Sequence, residues 1–299
     1  MMQNNNGFNR TKRRSKITTF DVVNTIILTL LMLLVLIPFY YTVIKSFMTQ
    51  QEFIMNSVVL WPKTFTLKNY TDMFNAGNVW RALLNSVFYT VVGVAWSMFI
   101  TTTLAYGLSK KGYPGRNIIQ NLVVFTMYFS GGLIPFFLVV KSLGLIGTRW
   151  SVIIPLGLNV FYVIIMRSFF EQLPSDLEEA ATVDGASPPR IFVQIILPLT
   201  KPALATMTLF YAVDRWNEWF YSGLFLGNSS MWPIQLLLRQ ILWGTSGFMK
   251  NVPQEAGKPT FTEGVKSASV IVTMLPIMLV YPFLQKYFVK GIMIGAIKS

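Results

Sequence analysis

The sequence predicts an all-α integral membrane protein. Three observations carry that class. The chain is 53% hydrophobic and only 12% charged over 299 residues, with a mean hydropathy of +0.50, whereas a soluble protein of this size carries about 25% charged residues. Six stretches of ~20 residues with few charges recur along it, each long enough to cross a bilayer as a helix. The basic residues behind the formal charge of +13 are scattered between these apolar runs, which fits loops flanking spans better than a nucleic-acid-binding face. There are no cysteines and no histidines, which excludes disulfides, thiolate or imidazole metal sites and catalysis by either side chain.

The first span is expected at Phe20–Ile44, behind Arg10, Lys12, Arg13, Arg14 and Lys16. A basic run before an apolar one resembles a signal peptide. The uncharged stretch from Val22 to Ile44 is too long for that, and no small-residue cleavage site follows it. An uncleaved span is therefore expected, preceded by a disordered Asn-rich stretch from Met1 to Gly7. The second span is expected at Ala82–Leu108, after an outer loop that holds Trp61, Phe65, Tyr70 and Trp80. Those aromatics suit a membrane interface. The reversal Lys111-Gly112-Tyr113-Pro114-Gly115 leads into a third span at Ile118–Val140, interrupted by Gly131, Gly132 and Pro135. The fourth is expected at Trp150–Phe170, with Pro155 inside it, and the sixth at Ser267–Gln285, with Pro276 and Pro282. The fifth, Ala203–Ser222, is the weakest, because Asp214, Arg215 and Glu218 lie in its second half. Breakers inside spans are tolerated where neighbours satisfy the freed backbone groups, and they also permit bending.

Orientation follows from basic residues in short connections. The N-terminal tail, the turn from Ser109 to Arg116 and the C-terminal tail with Lys286, Lys290 and Lys298 are rich in them. An even number of spans puts all three on the cytoplasmic side, together with residues 174–202. The expected organisation is a cytoplasmic tail at 1–19, a transmembrane domain at 20–290 and a second cytoplasmic tail at 291–299.

Residues 174–202 form the most polar stretch. Ser175 and Glu178 have the spacing of a capping box, and Leu177, Ala180 and Ala181 share one face of a short helix. Gly185 then stands where a helix needs a residue tolerant of positive φ. Ser187 and Pro188 read as the start of a second helix that heads back into the membrane.

The run Glu179-Ala180-Ala181, three residues, Gly185, nine residues and Ile195-x-Leu197-Pro198 resembles the E-A-A loop of bacterial ABC import permeases. Phe169-Phe170-x-x-Leu173-Pro174, Trp216-Asn217-Glu218-Trp219 and the closing Lys286–Ile292 run are similar to the carbohydrate-uptake, maltose-permease-like branch. Within it, the resemblance is strongest to the polysaccharide and acidic-oligosaccharide (alginate-type) group. The resemblance implies a type I ABC importer permease fold, with a cytoplasmic coupling helix between spans four and five. It implies that Glu178, Glu179, Ala180, Ala181, Asp184 and Gly185 engage the ATP-hydrolysing subunit. It also implies a second permease, two ATPase subunits that hold ATP and Mg, an extracytoplasmic solute-binding protein and a bacterial inner-membrane location. The sequence contains no G-x-x-x-x-G-K-[ST] phosphate loop, so the chain itself is expected to be neither an ATPase nor a cofactor binder.

A sugar path needs aromatic faces for rings and polar groups for hydroxyls. Arg215, Trp216, Asn217, Glu218, Trp219 and Tyr221 supply both on the fifth span, with Trp96, Tyr128, Asn159 and Tyr162 as additions from other spans. Arg215, Arg239 or Arg149 would suit an acidic sugar. The same residues read equally as an interfacial belt, as interhelical hydrogen bonding, or as arginines at lipid headgroups. The alternative function is an ion-coupled secondary transporter with the fifth-span carboxylates as its ion site. It requires polar groups on several spans, and spans two, three, four and six hold no acids. A passive scaffold leaves the E-A-A pattern without a purpose.

Overall fold

The computed structural model describes residues 18–56, 59–244 and 261–296. The basic residues from Arg10 to Lys16, and Lys250, Lys258 and Lys298, lie outside them. Every regular element among the described residues is helical. The first helix, α1 (Thr19–Ser46), is opened by a capping box in which Thr18 and Asp21 satisfy each other's backbone N–H groups. Short helices α2 (Gln50–Met55) and α3 (Lys68–Asn75) follow, then α4 (Val79–Ser109), α5 (Arg116–Tyr128) and α6 (Leu133–Ser142). Next come α7 (Val160–Glu171), α8 (Asp176–Val183), α9 (Pro188–Leu199) and α10 (Lys201–Asn217). The chain closes with α11 (Phe220–Phe225), α12 (Ile234–Trp243) and α13 (Thr262–Ala296).

Three of these helices are long and apolar enough to cross a membrane unaided: α1, α4 and the Thr262–Val280 part of α13. They match the expected first, second and sixth spans. The other three expected spans are not continuous helices. The third is broken between α5 and α6, where Gly132 takes a φ of +86° that a side chain would oppose. The fourth begins with a 3₁₀ turn at Arg149–Val152 and an irregular stretch around Pro155 and Gly157, so that α-helix covers only Val160–Glu171. The fifth stops at Asn217 and restarts at Phe220. Gly132 stands at the first of these breaks and Pro155 at the second.

Helix α4 is the central post, packed against α7, α10 and α12. Its buried face reads Asn85, Tyr89, Gly93, Ser97, Thr101 and Ala105 at every fourth residue. Mostly small side chains at that spacing let neighbouring helices approach closely, which is how helices associate where the solvent is lipid. Tyr211 of α10 tethers the bundle there, its hydroxyl 2.6 Å from Thr101 Oγ1 and accepting the Asn159 N–H at 3.2 Å. Separate apolar cores gather at the two ends of α4. Val79 and Ala82 pack with α10, α12 and α13, while Ala105 and Leu108 pack with α7, α8, α9 and α10. By contrast, α1 exposes apolar side chains from Phe20 to Ile37, as a helix surrounded by lipid or by another chain does.

The second helix of the 174–202 segment does not head straight into the bundle. Helix α9 meets α10 at 84°. Pro198 and Pro202 have no N–H to give to the preceding turn, so the helix slips into a π turn at Phe192–Ile196 and then turns at Thr200. The Thr200 hydroxyl and N–H both donate to the Ile196 carbonyl, at 3.0 and 3.1 Å, which closes the corner.

Candidate functional site

Helix α8 forms as the spacing predicts but starts differently. Ser175 is itself in the α region and makes no side-chain cap bond. The capping box is therefore absent, because Glu178 turns away to pair with Lys110, the C-cap residue of α4. The Lys110 ammonium also lies 4.5 Å from the centre of the Tyr106 ring. Three carboxylates in the first turn, Asp176, Glu178 and Glu179, suit the positive end of the helix dipole.

The helix ends as expected. Gly185 has a φ of +78°. Its N–H donates to the Thr182 carbonyl at 3.0 Å, and the Ala186 N–H donates to the Ala181 carbonyl at 3.0 Å. This is a Schellman closure, and it needs a residue at home in the left-handed region. Of the three small or apolar residues expected on one face, only Ala181 is buried, against the core at the Ser109 end of α4. Leu177, Ala180 and Val183 stay exposed, as do Glu179 and Asp184. The Glu179 carboxylate meets no partner among the described residues. The helix thus fixes itself by Ala181 and Glu178 and presents an acidic and apolar surface outward. The turn 109–116 lies at the same end, since Arg116 binds the Leu108 carbonyl at 2.6 Å and Glu171 at 3.0 Å.

The fifth-span motif divides into residues that hold the bundle and residues that face outward. Arg215 is buried. Its guanidinium donates to the Val152 carbonyl at 2.8 Å, to Ser97 Oγ at 3.1 Å and to the Leu156 carbonyl. Those carbonyls belong to the irregular start of the fourth span, so the arginine supplies donors to carbonyls that lie outside a regular helix. Glu218 lies past the end of α10, and its carboxylate accepts from Tyr221 N at 2.6 Å, Ser222 N at 3.0 Å and Ser222 Oγ. It caps α11. Trp216 sits in the core against α13, its indole N–H on the Thr273 carbonyl at 3.3 Å. The polar groups of these three bond inside the protein. The ion-coupled alternative loses Glu218 by the same geometry.

Of the other candidates, Trp96, Asn159 and Arg149 bond within the protein. Trp96 props the irregular stretch, where a Cβ on Gly157 would stand 2.6 Å from its indole nitrogen. Asn159 caps α7 by accepting the Phe161 N–H at 3.0 Å. Arg149 clamps Asn85 Oδ1 at 3.0 Å, and Asn85 Nδ2 in turn donates to the Ser230 and Trp232 carbonyls. Tyr128 is exposed at the end of α5.

What faces outward is a connected polar and aromatic ladder. The Tyr162 hydroxyl donates to Asp214 Oδ2 at 2.9 Å. Asp214 is one turn from Asn217, and Asn217 Oδ1 accepts from Gln235 Nε2 at 3.2 Å. Gln235 is one turn from Arg239, whose guanidinium carbon lies 3.4 Å from the centre of the Trp219 ring and 3.9 Å from that of Trp243. Sequence reasoning named Asn217 and Trp219 but not Gln235 or Trp243, which stand on α12 far along the chain. The signal that could have found them is the i, i+4, i+8 spacing of Gln235, Arg239 and Trp243. Tyr221 lies elsewhere, in a cavity of about 560 Å³ at the breaks of the third and fifth spans, with Gly131, Gly132, Phe136 and Phe220. Among the described residues no group of His, Cys, Asp and Glu side chains is placed to hold a metal ion.

Comparison with known proteins gives these surfaces a context. The profile of the family described as "binding-protein-dependent transport system inner membrane component" matches residues 97–294. The chain is 45% identical over 285 residues to Protein LplC of Bacillus subtilis (strain 168), covering 94% of this chain and 95% of that one. It is 44% identical over 281 residues to the polygalacturonan/rhamnogalacturonan transport system permease protein YtcP of the same organism, covering 94% and 98%. Among solved structures it is similar to a chain of a bacterial ABC transporter involved in the import of the acidic polysaccharide alginate. That match has a TM-score of 0.82 at 32% identity over 90% of this chain and 96% of that one.

Proposed function

We propose, from the premise that this chain belongs to the family of inner-membrane components of binding-protein-dependent transport systems, that it is one permease subunit of an ATP-driven oligosaccharide importer. The observation that carries this reading is the outward face of α8, a short acidic helix locked from behind by Ala181 and the Glu178–Lys110 pair. A helix held so firmly on one side and exposing Leu177, Glu179, Ala180 and Val183 on the other is built to transmit force to a docked protein. In this reading the docked protein is an ATPase subunit that holds ATP and Mg. The chain itself hydrolyses nothing.

The finer reading follows from that role. Six membrane crossings place both termini, the turn 109–116 and α8 in the cytoplasm, the third, fourth and fifth crossings each being built from helical pieces. Closure of two ATPase subunits on ATP moves α8. The corner at Thr200 turns that motion through 84° into α10, which carries one side of the ladder from Asp214 to Asn217. A second, similar permease completes the path, and an extracytoplasmic binding protein delivers the sugar. Acidic oligosaccharides are the favoured class, because the similar solved transporter is described as importing the acidic polysaccharide alginate and YtcP is described as a polygalacturonan/rhamnogalacturonan permease, polymers built on galacturonate.

The test is a mild-detergent pull-down of the tagged chain from its native membrane, followed by mass spectrometry. Recovery of an ATPase with a phosphate loop and of a second permease, both retained when Glu178 is changed together with Lys110 and the ATPase lost in Glu179→Lys, supports the reading. A chain that purifies alone and moves solute with a proton or sodium gradient overturns it.

A further inference from the structure

Resting on the sugar-import reading, we infer that Arg239, clamped between Trp219 and Trp243, is the residue that selects acidic over neutral oligosaccharides. The geometry begins with α12. Ile234, Leu237 and Ile241 bury one face of that helix against α4 and α13, and the Ile234 N–H donates to Ser86 Oγ at 2.8 Å. The helix is therefore fixed, and Gln235, Arg239 and Trp243 form a ridge on another side of it. Trp219 approaches from the break at the end of α10. The guanidinium carbon lies 3.4 Å from the centre of one indole and 3.9 Å from that of the other.

Two indoles hold the cation, and among the described residues no hydrogen bond or ion pair engages its N–H groups. No carboxylate pairs with Arg239 among the described residues, whereas Arg215 and Arg149 both have their guanidinium groups engaged. The side chain is thus immobilised in advance and keeps its planar fork for a ligand carboxylate, which it can bind through two parallel hydrogen bonds. The indole edges and faces beside it offer apolar surface to the C–H face of the attached sugar ring. Asn217, its Nδ2 on the Val213 carbonyl at 3.0 Å and its Oδ1 accepting from Gln235, orients Gln235, whose amide oxygen suits a hydroxyl of the next sugar unit. A neutral sugar gains that amide and the indoles but leaves the fork unpaired.

The purified complex of this chain with its partner permease and ATPases is titrated with trigalacturonate and with its methyl ester, reading tryptophan fluorescence. Trigalacturonate is expected to bind more tightly than the ester, and less so as salt is raised. Arg239→Gln is expected to raise the Kd for trigalacturonate about ten- to a hundred-fold and that for the ester by less than about threefold. Arg239→Lys, which keeps the charge but not the fork, is expected to fall between. Equal Kd values for the two trimers in the wild type, an unchanged Kd in Arg239→Gln, or an equal loss for both trimers overturns the inference. So does a complex that no longer co-purifies in both variants, since Arg239 is then a subunit contact. The parent reading is judged separately by ATP-dependent uptake with the binding protein present, and that uptake can succeed while every fluorescence outcome goes against Arg239.

Discussion

Arg215 crosses α4 at Gly93, where a Cβ would stand 3.1 Å from its Cδ and 3.2 Å from its Nε. The glycine makes room for the arginine, and the arginine carries the hydrogen bonds of the broken fourth span. Arg215→Leu leaves the Val152 and Leu156 carbonyls without donors. It is expected to destabilise the chain by at least about 2 kcal/mol, read as a lower melting temperature in detergent. Gly93→Leu is expected to give a similar loss by overpacking, about 1–3 kcal/mol. A wild-type melting temperature in Arg215→Leu would show that the irregular segment does not need the guanidinium.

Glu178 and Glu179 are neighbours with different duties. Lys110→Glu is expected to loosen α8, by about 1 kcal/mol or less because both side chains of the pair are partly exposed. The exchange Lys110→Glu with Glu178→Lys is expected to restore uptake in part. Glu179 has no partner among the described residues with which it could be exchanged, and Glu179→Lys is expected to abolish ATPase co-purification. Rescue of Glu179→Lys by a change inside this chain would reassign that carboxylate to internal packing.

Gly185→Val forces a β-branched side chain into the left-handed region, at a cost of about 1–2 kcal/mol, and opens the Schellman closure. The variant is expected to reach the membrane, but in a complex whose ATPase subunits hydrolyse ATP without transport. Gly185→Asn, which tolerates that backbone region better, is expected to keep part of the coupling. Full coupling in the valine variant would show that the turn at 185 is not required.

Trp216 and Asn217 separate core from path. Trp216→Ala is expected to cost about 3–5 kcal/mol of stability, because the indole is buried against α13. Asn217→Ala is expected to leave the stability within about 0.5 kcal/mol of wild type and to raise the half-saturating sugar concentration about threefold or more. An Asn217→Ala protein with unaltered uptake kinetics would remove the ladder from the path.

The α-helical class, the three long helices and the outline of the 174–202 segment were legible in the sequence. Each follows from composition over a window or from residues a few positions apart. Gly185 is the clearest case, since a glycine at that point in a helical pattern has one common purpose. The Ser175 capping box failed for a reason invisible in sequence. Glu178 found Lys110, a residue 68 positions away, and a charged partner outcompeted a cap bond.

The fifth-span motif shows the same limit more sharply. Sequence alone determined that Arg215, Trp216, Asn217, Glu218 and Trp219 are unusual residues for a membrane helix. Only the tertiary structure decided which of them face the interior. Arg215 and Glu218 are spent on backbone groups released by breaks at 153–159 and 218–219, while Asn217 and Trp219 reach α12. The physical reason is that a polar group in an apolar setting must find a partner, and the partner's position is set by the packing of the whole bundle rather than by spacing along the chain.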